Sequence, residues 1–230
     1  MWYQTGVCRN GLILAVALLC IVTACGAPGT STETSTAATS TVKPQLNPAK
    51  ISRVRSELPA GYEVADIVGP ASPAAFWGFK PGWVTEPPQC GALAGPVTDD
   101  ATTKGWSGSG PGGIVHAVVT GSPTSPVTLD PVLPAECGQW TVMSGNTTGT
   151  VNLIDAPAID GATTVGMDTR AVTVVEGGTE TVSAAYTFNA YFADYLAFVT
   201  VVTDPGSPNP PLGQEFASDL LVKTVSALRG

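Results

Sequence analysis

Apolar and polar positions follow their clearest pattern in the last third of the chain. Residues 140–143, 149–154, 163–175, 180–191 and 195–203 are rich in Val, Thr, Tyr and Phe and are bounded by Gly, Asn and Asp, which predicts five strands. Between two of them, Glu176-Gly177-Gly178-Thr179 supplies the paired glycines that a tight hairpin turn requires, and residues 189–194 mark a second reversal. Strands joined this closely pair antiparallel. The period then changes. Beyond a stiff DPGSPNPP loop at 204–211, Phe216, Leu220, Leu221, Val225 and Leu228 recur at helical spacing, with Glu215, Asp219 and Lys223 turned the other way. This predicts an amphipathic helix over 212–228, and such a helix has to cover a sheet.

The first half is more broken. Asn47 is a good N-cap, Pro48 suits the first helical position, and Ile51, Val54 and Leu58 share a face, predicting a helix that Pro59 and Gly61 terminate. A strand is expected over 62–68, and Ser72-Pro73 opens a short helical piece through Phe76 and Trp77. Residues 78–88, GFKPGWVTEPP, read as irregular because of their prolines. A turn of helix begins at 89–93. Residues 112–120, GGIVHAVVT, are apolar on both faces like a central strand, and a short helix is predicted over 131–138. The fold class expected is α+β: a twisted antiparallel sheet with the N- and C-terminal helices packed on one face. Residues 47–230 are long enough for one such domain.

The N-terminus has a different composition. Arg9 precedes an uncharged run, GLILAVALLCIVT at 11–23, which has the order of parts of a signal peptide and is short for a membrane-spanning helix. Its end, Val22-Thr23-Ala24-Cys25, resembles the bacterial lipobox. That resemblance implies cleavage after Ala24, a lipid on Cys25, and residence at the outer face of a cell membrane, since two or more acyl chains hold a protein stably. Residues 26–46 are dominated by Thr, Ser, Ala, Pro and Gly. They read as a tether with a root-mean-square span of about 25 Å.

Five cysteines then sort themselves. Cys8 and Cys20 lie in the leader and Cys25 carries lipid, leaving Cys90 and Cys137. In an exported chain an even pair points to a disulfide, worth roughly 4 kcal/mol for a loop of that length. A metal pair competes with it, but one histidine in the chain makes a poor zinc site. The balance of 10 Lys plus Arg against 18 Asp plus Glu disfavours nucleic acid, for which a basic stripe is needed. No cofactor or metal motif is expected.

Candidate chemistry is sparse. Any Ser-His-Asp arrangement must use His116, which shares a strand face with Ile114 and Val118, and the Gly105-Trp106-Ser107-Gly108-Ser109 stretch misses the nucleophile-elbow pattern at its last position. A strand histidine is the simpler reading. Gly108, Gly110 and Gly113 match G-x-G-x-x-G but lead into a strand rather than a helix, so the stretch reads as a flexible loop. Asn146-Thr147-Thr148 fits a glycosylation sequon, with little weight in a bacterial lipoprotein. Asp66, Glu86, Asp99, Asp130 and Glu136 are scattered, and solvated surface acids account for them. Phe76, Trp77, Phe79 and Trp83, together with Trp106, carry two open readings: they border a binding surface, or they plug the core beneath a long loop.

With the lipobox and the tether, Pro87-Pro88-Gln89-Cys90-Gly91-Ala92-Leu93 and Glu136-Cys137 resemble mycobacterial lipoproteins of unknown function. Those look distantly like the extracytoplasmic sensor domain of PknH-type serine/threonine kinases. The resemblance implies an α+β unit with helices against an antiparallel sheet, a cleft and, in the kinases, two disulfides. Only one is possible here, and no functional residue transfers by position. The function expected is a non-catalytic envelope module that binds or senses a small molecule or lipid; an accessory subunit docking on a membrane protein, and a cell-wall hydrolase, are its rivals.

Overall fold

The computed structural model describes residues 46–96, 99–121, 129–192 and 194–230, with backbone alone at 99–101. The leader, Cys25 and the tether lie outside the described residues. Nine strands form one open antiparallel sheet in the order β1-β3-β4-β9-β8-β7-β6-β5-β2. They are β1 (Glu63–Asp66), β2 (Val84–Glu86), β3 (Asp99–Gly110), β4 (Gly113–Gly121), β5 (Gln139–Ser144), β6 (Thr147–Ile154), β7 (Thr163–Val174), β8 (Glu180–Tyr191) and β9 (Tyr195–Thr203). The α+β class stands.

The five strands expected from the last third are present as β5 to β9. Their alternation decides the two faces. Along β9, Leu196 and Phe198 enter one core layer while Ala197, Val199 and Val201 enter the other, which is why this strand is apolar on both faces, with Thr200 its one interior polar residue. On the second layer lies α4 (Gln214–Arg229), burying Leu220, Leu221, Val225 and Leu228. Beside it runs the N-terminal helix, Pro48–Glu57, with Asn47 accepting from Ala49 N–H. The expected helix is of the 3-10 type. Three residues per turn bring Ile51 and Val54 into line, and both are buried against the same layer. The Asn47 N–H donates to the Leu228 carbonyl at 2.8 Å and Lys223 pairs with Glu57 at 2.7 Å, so both ends of the chain's described part are joined on one face, as predicted.

The opposite layer is covered by three short helices, α1 (Pro73–Phe76), α2 (Gly91–Ala94) and α3 (Leu133–Glu136), with the loops between them. Ser72 caps α1, accepting from Ala75 N–H at 3.4 Å. Cys90 and Cys137 are joined, with 5.6 Å between their Cα atoms, and both are fully buried. The bridge ties the start of α2 to the end of α3.

Two expectations fail in instructive ways. The G-x-G-x-x-G stretch is no flexible loop: Gly110 pairs with Gly113 across the turn of the β3–β4 hairpin. A Cβ on Gly108 would come within 2.6 Å of Leu58, and one on Gly110 within 2.5 Å of the Tyr62 ring. The glycines therefore make room for side chains lying on the strand. The polar sequence before them hid β3. Likewise, the proline-rich 78–88 segment contains β2, a three-residue edge strand against β5, allowed because Pro87 follows its last residue and an edge needs donors on one side only.

Candidate functional site

The five aromatic residues left open between bordering a ligand and plugging the core do not come together at a surface. Trp77 and Phe79 are 3% exposed on the layer beneath α1 and α2, and Trp106 is fully buried on the other side of the sheet. Trp77 donates its indole N–H to Thr187 Oγ1 at 2.9 Å, and Trp106 donates to the Ile51 carbonyl at 3.1 Å. Each large ring has thus found an internal partner for its one polar atom, as buried tryptophans require. Phe76 and Trp83 are half-buried against the first layer. The plugging reading describes Trp77, Phe79 and Trp106.

His116 lies under the same cover. Phe76 stacks on its imidazole with ring centroids 4.0 Å apart and planes 7° from parallel. Burial lowers its pKa to about 4, because removing an imidazolium from water is unfavourable, and Nδ1 has no hydrogen-bond partner among the described residues. Its strand neighbours are Ser107 and Thr200, and Thr200 shares a hydroxyl contact with Thr187 at 3.0 Å. The scattered acids stay scattered. Asp66 pairs with Arg55, Asp130 accepts from Val132 N–H, Glu136 accepts from Gln89, Glu86 is exposed at the sheet edge, and the side chain of Asp99 lies outside the described residues. Among the described residues, no three His, Cys, Asp or Glu gather as metal ligands.

A recess forms elsewhere, from residues that no sequence motif marked. At one end of the sheet β4 begins at Gly113, β9 ends at Thr203, and the chain swings out through the 204–211 loop before Leu212 N–H returns to the Gly112 carbonyl at 2.9 Å. Asp204 shapes the loop, accepting from Gly206 N–H at 2.8 Å on its side chain and from Ser207 N–H at 3.0 Å on its carbonyl. Between this loop and the β3–β4 turn lies an open cleft of about 340 Å³, within the size range of ligand sites. Ile114, 42% exposed, and Val202 give it apolar lining, the Gly110-Pro111-Gly112-Gly113 turn gives it backbone, and Ser183, Thr203, Ser207 and Asn209 give it polar groups. Among the described residues, Asp204 is its one charged lining residue, and no Lys, Arg, His or aromatic side chain lines it. The signal available in the sequence was the nearness of a glycine turn and a four-proline loop to central strands, and nothing local says that the two meet.

Residues 47–229 match the family described as a domain of unknown function, DUF5642. The chain belongs to that family. Among solved structures it is similar to an uncharacterised protein of Mycobacterium smegmatis, the Rv0999 ortholog, at 23% identity, covering 81% of this chain and 99% of that one with a TM-score of 0.59. The likeness is one of fold. It is also similar to the extracellular domain of PknH from Mycobacterium tuberculosis, at 12% identity over 79% of this chain and 92% of that one, with a TM-score of 0.42. No curated protein matches it. The mycobacterial resemblance read from the sequence has a counterpart of the same fold in the M. smegmatis protein, and the DUF5642 match covers α4 as well as the disulfide-linked cover.

Proposed function

We propose that this chain is a lipid-anchored, non-catalytic binding module at the extracytoplasmic face of a cell membrane, and that its ligand occupies the cleft between the β3–β4 turn and the 204–211 loop. The cleft carries the reading: it is open, mixes apolar lining with hydroxyl and backbone groups, and sits at the end of the sheet beside the β3–β4 turn. The buried Cys90–Cys137 bridge suits an oxidising compartment, and Val22-Thr23-Ala24-Cys25 supplies the anchor. A binding role fits the chemistry at hand better than hydrolysis, because the His116 ring is stacked on Phe76 and, among the described residues, no acid pairs with its Nδ1 to orient it as a base.

The test is native mass spectrometry of the full chain extracted in detergent from its own membrane. A co-purifying species is expected on the native chain and should be lost when Ser183→Trp fills the cleft. A species retained by that variant, or none on either chain, would count against the reading.

Docking on a membrane-protein partner is the second reading, and one surface favours it. On the sheet face that carries α4, the helix packs over β8 and β9, while Val84, Met143 and Val174 remain 57%, 39% and 42% exposed on β2, β5 and β7. Crosslinking in intact cells through residue 143 should yield one dominant product if this face docks.

A further inference from the structure

Helices cover only part of one sheet face. α4 packs over β8 and β9, and the N-terminal helix over β3 and β4. Beyond α4 the same face continues across β7, β6, β5 and β2, and register fixes what it presents. One row across the strands is Val84, Met143, Thr148, Val172 and Val182; the next is Glu86, Thr141, Thr150, Arg170 and Ala184. Val142, Val151, Ala171 and Ala185 enter the opposite core layer, so strand alternation turns both rows to the side that carries α4. None of the residues in these rows is buried.

Glu86 and Arg170 are the charges of the second row. Two strands lie between them, which sets their Cα atoms about 14 Å apart, too far for an ion pair. Among the described residues neither has an ion-pair partner, and Asp168, two residues along β7 on the same face, makes none with Arg170. α4 borders the bare strands like a wall. Lys223 marks its flank toward the N-terminal helix, where it pairs with Glu57. Arg229 marks the other flank, donating to the Asp160 carbonyl in the loop that joins β6 to β7. Val222 stands two turns before Arg229 on that second flank and is 42% exposed.

We infer that a second copy of this chain covers the bare half of the sheet, the two sheets packing face to face about a two-fold axis that runs along the strands between β5 and β6. The operation exchanges β2 with β7 and β5 with β6. Val84 then lies over the partner's Val172, Met143 over the partner's Thr148, and Glu86 meets the partner's Arg170. A two-fold makes each contact twice, so the two charges that cannot meet within one chain are paired between chains. α4, about 10 Å thick, is as tall as the spacing of about 10 Å between packed sheets. It therefore bounds the contact beside the partner strand β2 without holding the sheets apart. Four strands and the rows from Val174 to Asp168 give a face of about 19 Å by 20 Å, a small interface that makes a weak dimer. An anionic membrane would find one cation on this face, Arg170, with Glu86, Asp168 and Glu180 against it. The inference does not involve the cleft; it gives the surface of the second reading a definite occupant.

The test uses two differently tagged copies of the full chain expressed together, one with Val84→Cys and the other with Val172→Cys, in intact cells treated with a short bismaleimide. A product of twice the chain's mass that carries both tags is expected, and it should be absent when Ile114→Cys, on the opposite face, replaces Val172→Cys. Glu86→Arg or Arg170→Glu in both copies should each lower the yield roughly tenfold, because like charges then face one another. Making both exchanges in every copy should restore it. These positions are exposed, so the fold is retained; should one single variant fold poorly, the other and the double exchange decide. No mixed product, a product whose second component is another protein, or a double exchange that fails to recover the yield overturns the second copy.

Discussion

The Phe76 ring lies flat on the His116 imidazole, 4.0 Å between centroids, and the pair closes one core layer at the end of α1. Protonating His116 would place a cation in that stack with burial already holding its pKa at about 4 against an ordinary 6.5. The unfolded chain takes up this proton near pH 6.5, the folded chain only near pH 4, so between those values the unfolded state binds more protons. Stability therefore falls as pH drops through that window, by about 3 kcal/mol once pH 4 is reached. Urea midpoints measured from pH 7 to 5, above most carboxylate titration, should show the decline, and His116→Gln should flatten it.

Cys90 and Cys137 close a loop whose ends are 47 residues apart. Replacing both by alanine should lower unfolding free energy by about 4 kcal/mol on the chain-entropy account, read as a shift of the denaturant midpoint. The same shift should follow on adding reductant to the native chain and be absent on adding it to the variant.

Trp106 is fully buried beneath the N-terminal helix and bonded to the Ile51 carbonyl. Trp106→Ala should cost about 3–5 kcal/mol through the cavity it leaves. Trp106→Phe should cost about 1–3 kcal/mol by leaving that carbonyl unpaired while binding at the cleft stays unchanged. A large loss of binding in the phenylalanine variant, at temperatures where it remains folded, would return Trp106 to the ligand site.

Gly110 and Tyr62 offer a test of the hairpin packing. A methyl group on Gly110 meets the Tyr62 ring at 2.5 Å, so Gly110→Ala should destabilise by about 1–3 kcal/mol. Tyr62→Ala in the same chain should cost less than the sum of the two single changes, because the clash and the ring vanish together.

Substitution of the proposed lipid-bearing cysteine is the simplest check on location. Cys25→Ala should move the chain from the membrane fraction to the soluble or secreted fraction and abolish labelling by radioactive palmitate. An unchanged membrane fraction would argue that some other part of the chain holds it there.

Local pattern fixed the elements from β5 to β9 and α4, because period-two and period-3.6 spacing are properties of neighbours in sequence. The cysteine count and the lipobox resemblance fixed the pairing expected of Cys90 with Cys137 in the same way. β3 escaped because its residues are polar and glycine-rich, its burial being supplied by Tyr62, Leu58 and the N-terminal helix, which sequence spacing does not show. The aromatic residues were legible as important and their place was not: whether Trp77 or Trp106 faces solvent depends on what packs against it, and their hydrogen-bond partners, Thr187 and Ile51, are distant along the chain. The cleft is the most nonlocal feature. It exists because β9 stops four residues short of the end of β8 while the β3–β4 turn and the 204–211 loop close in from either side. Strand lengths and neighbours across a sheet are set by tertiary packing, and that is where this protein's candidate site was decided.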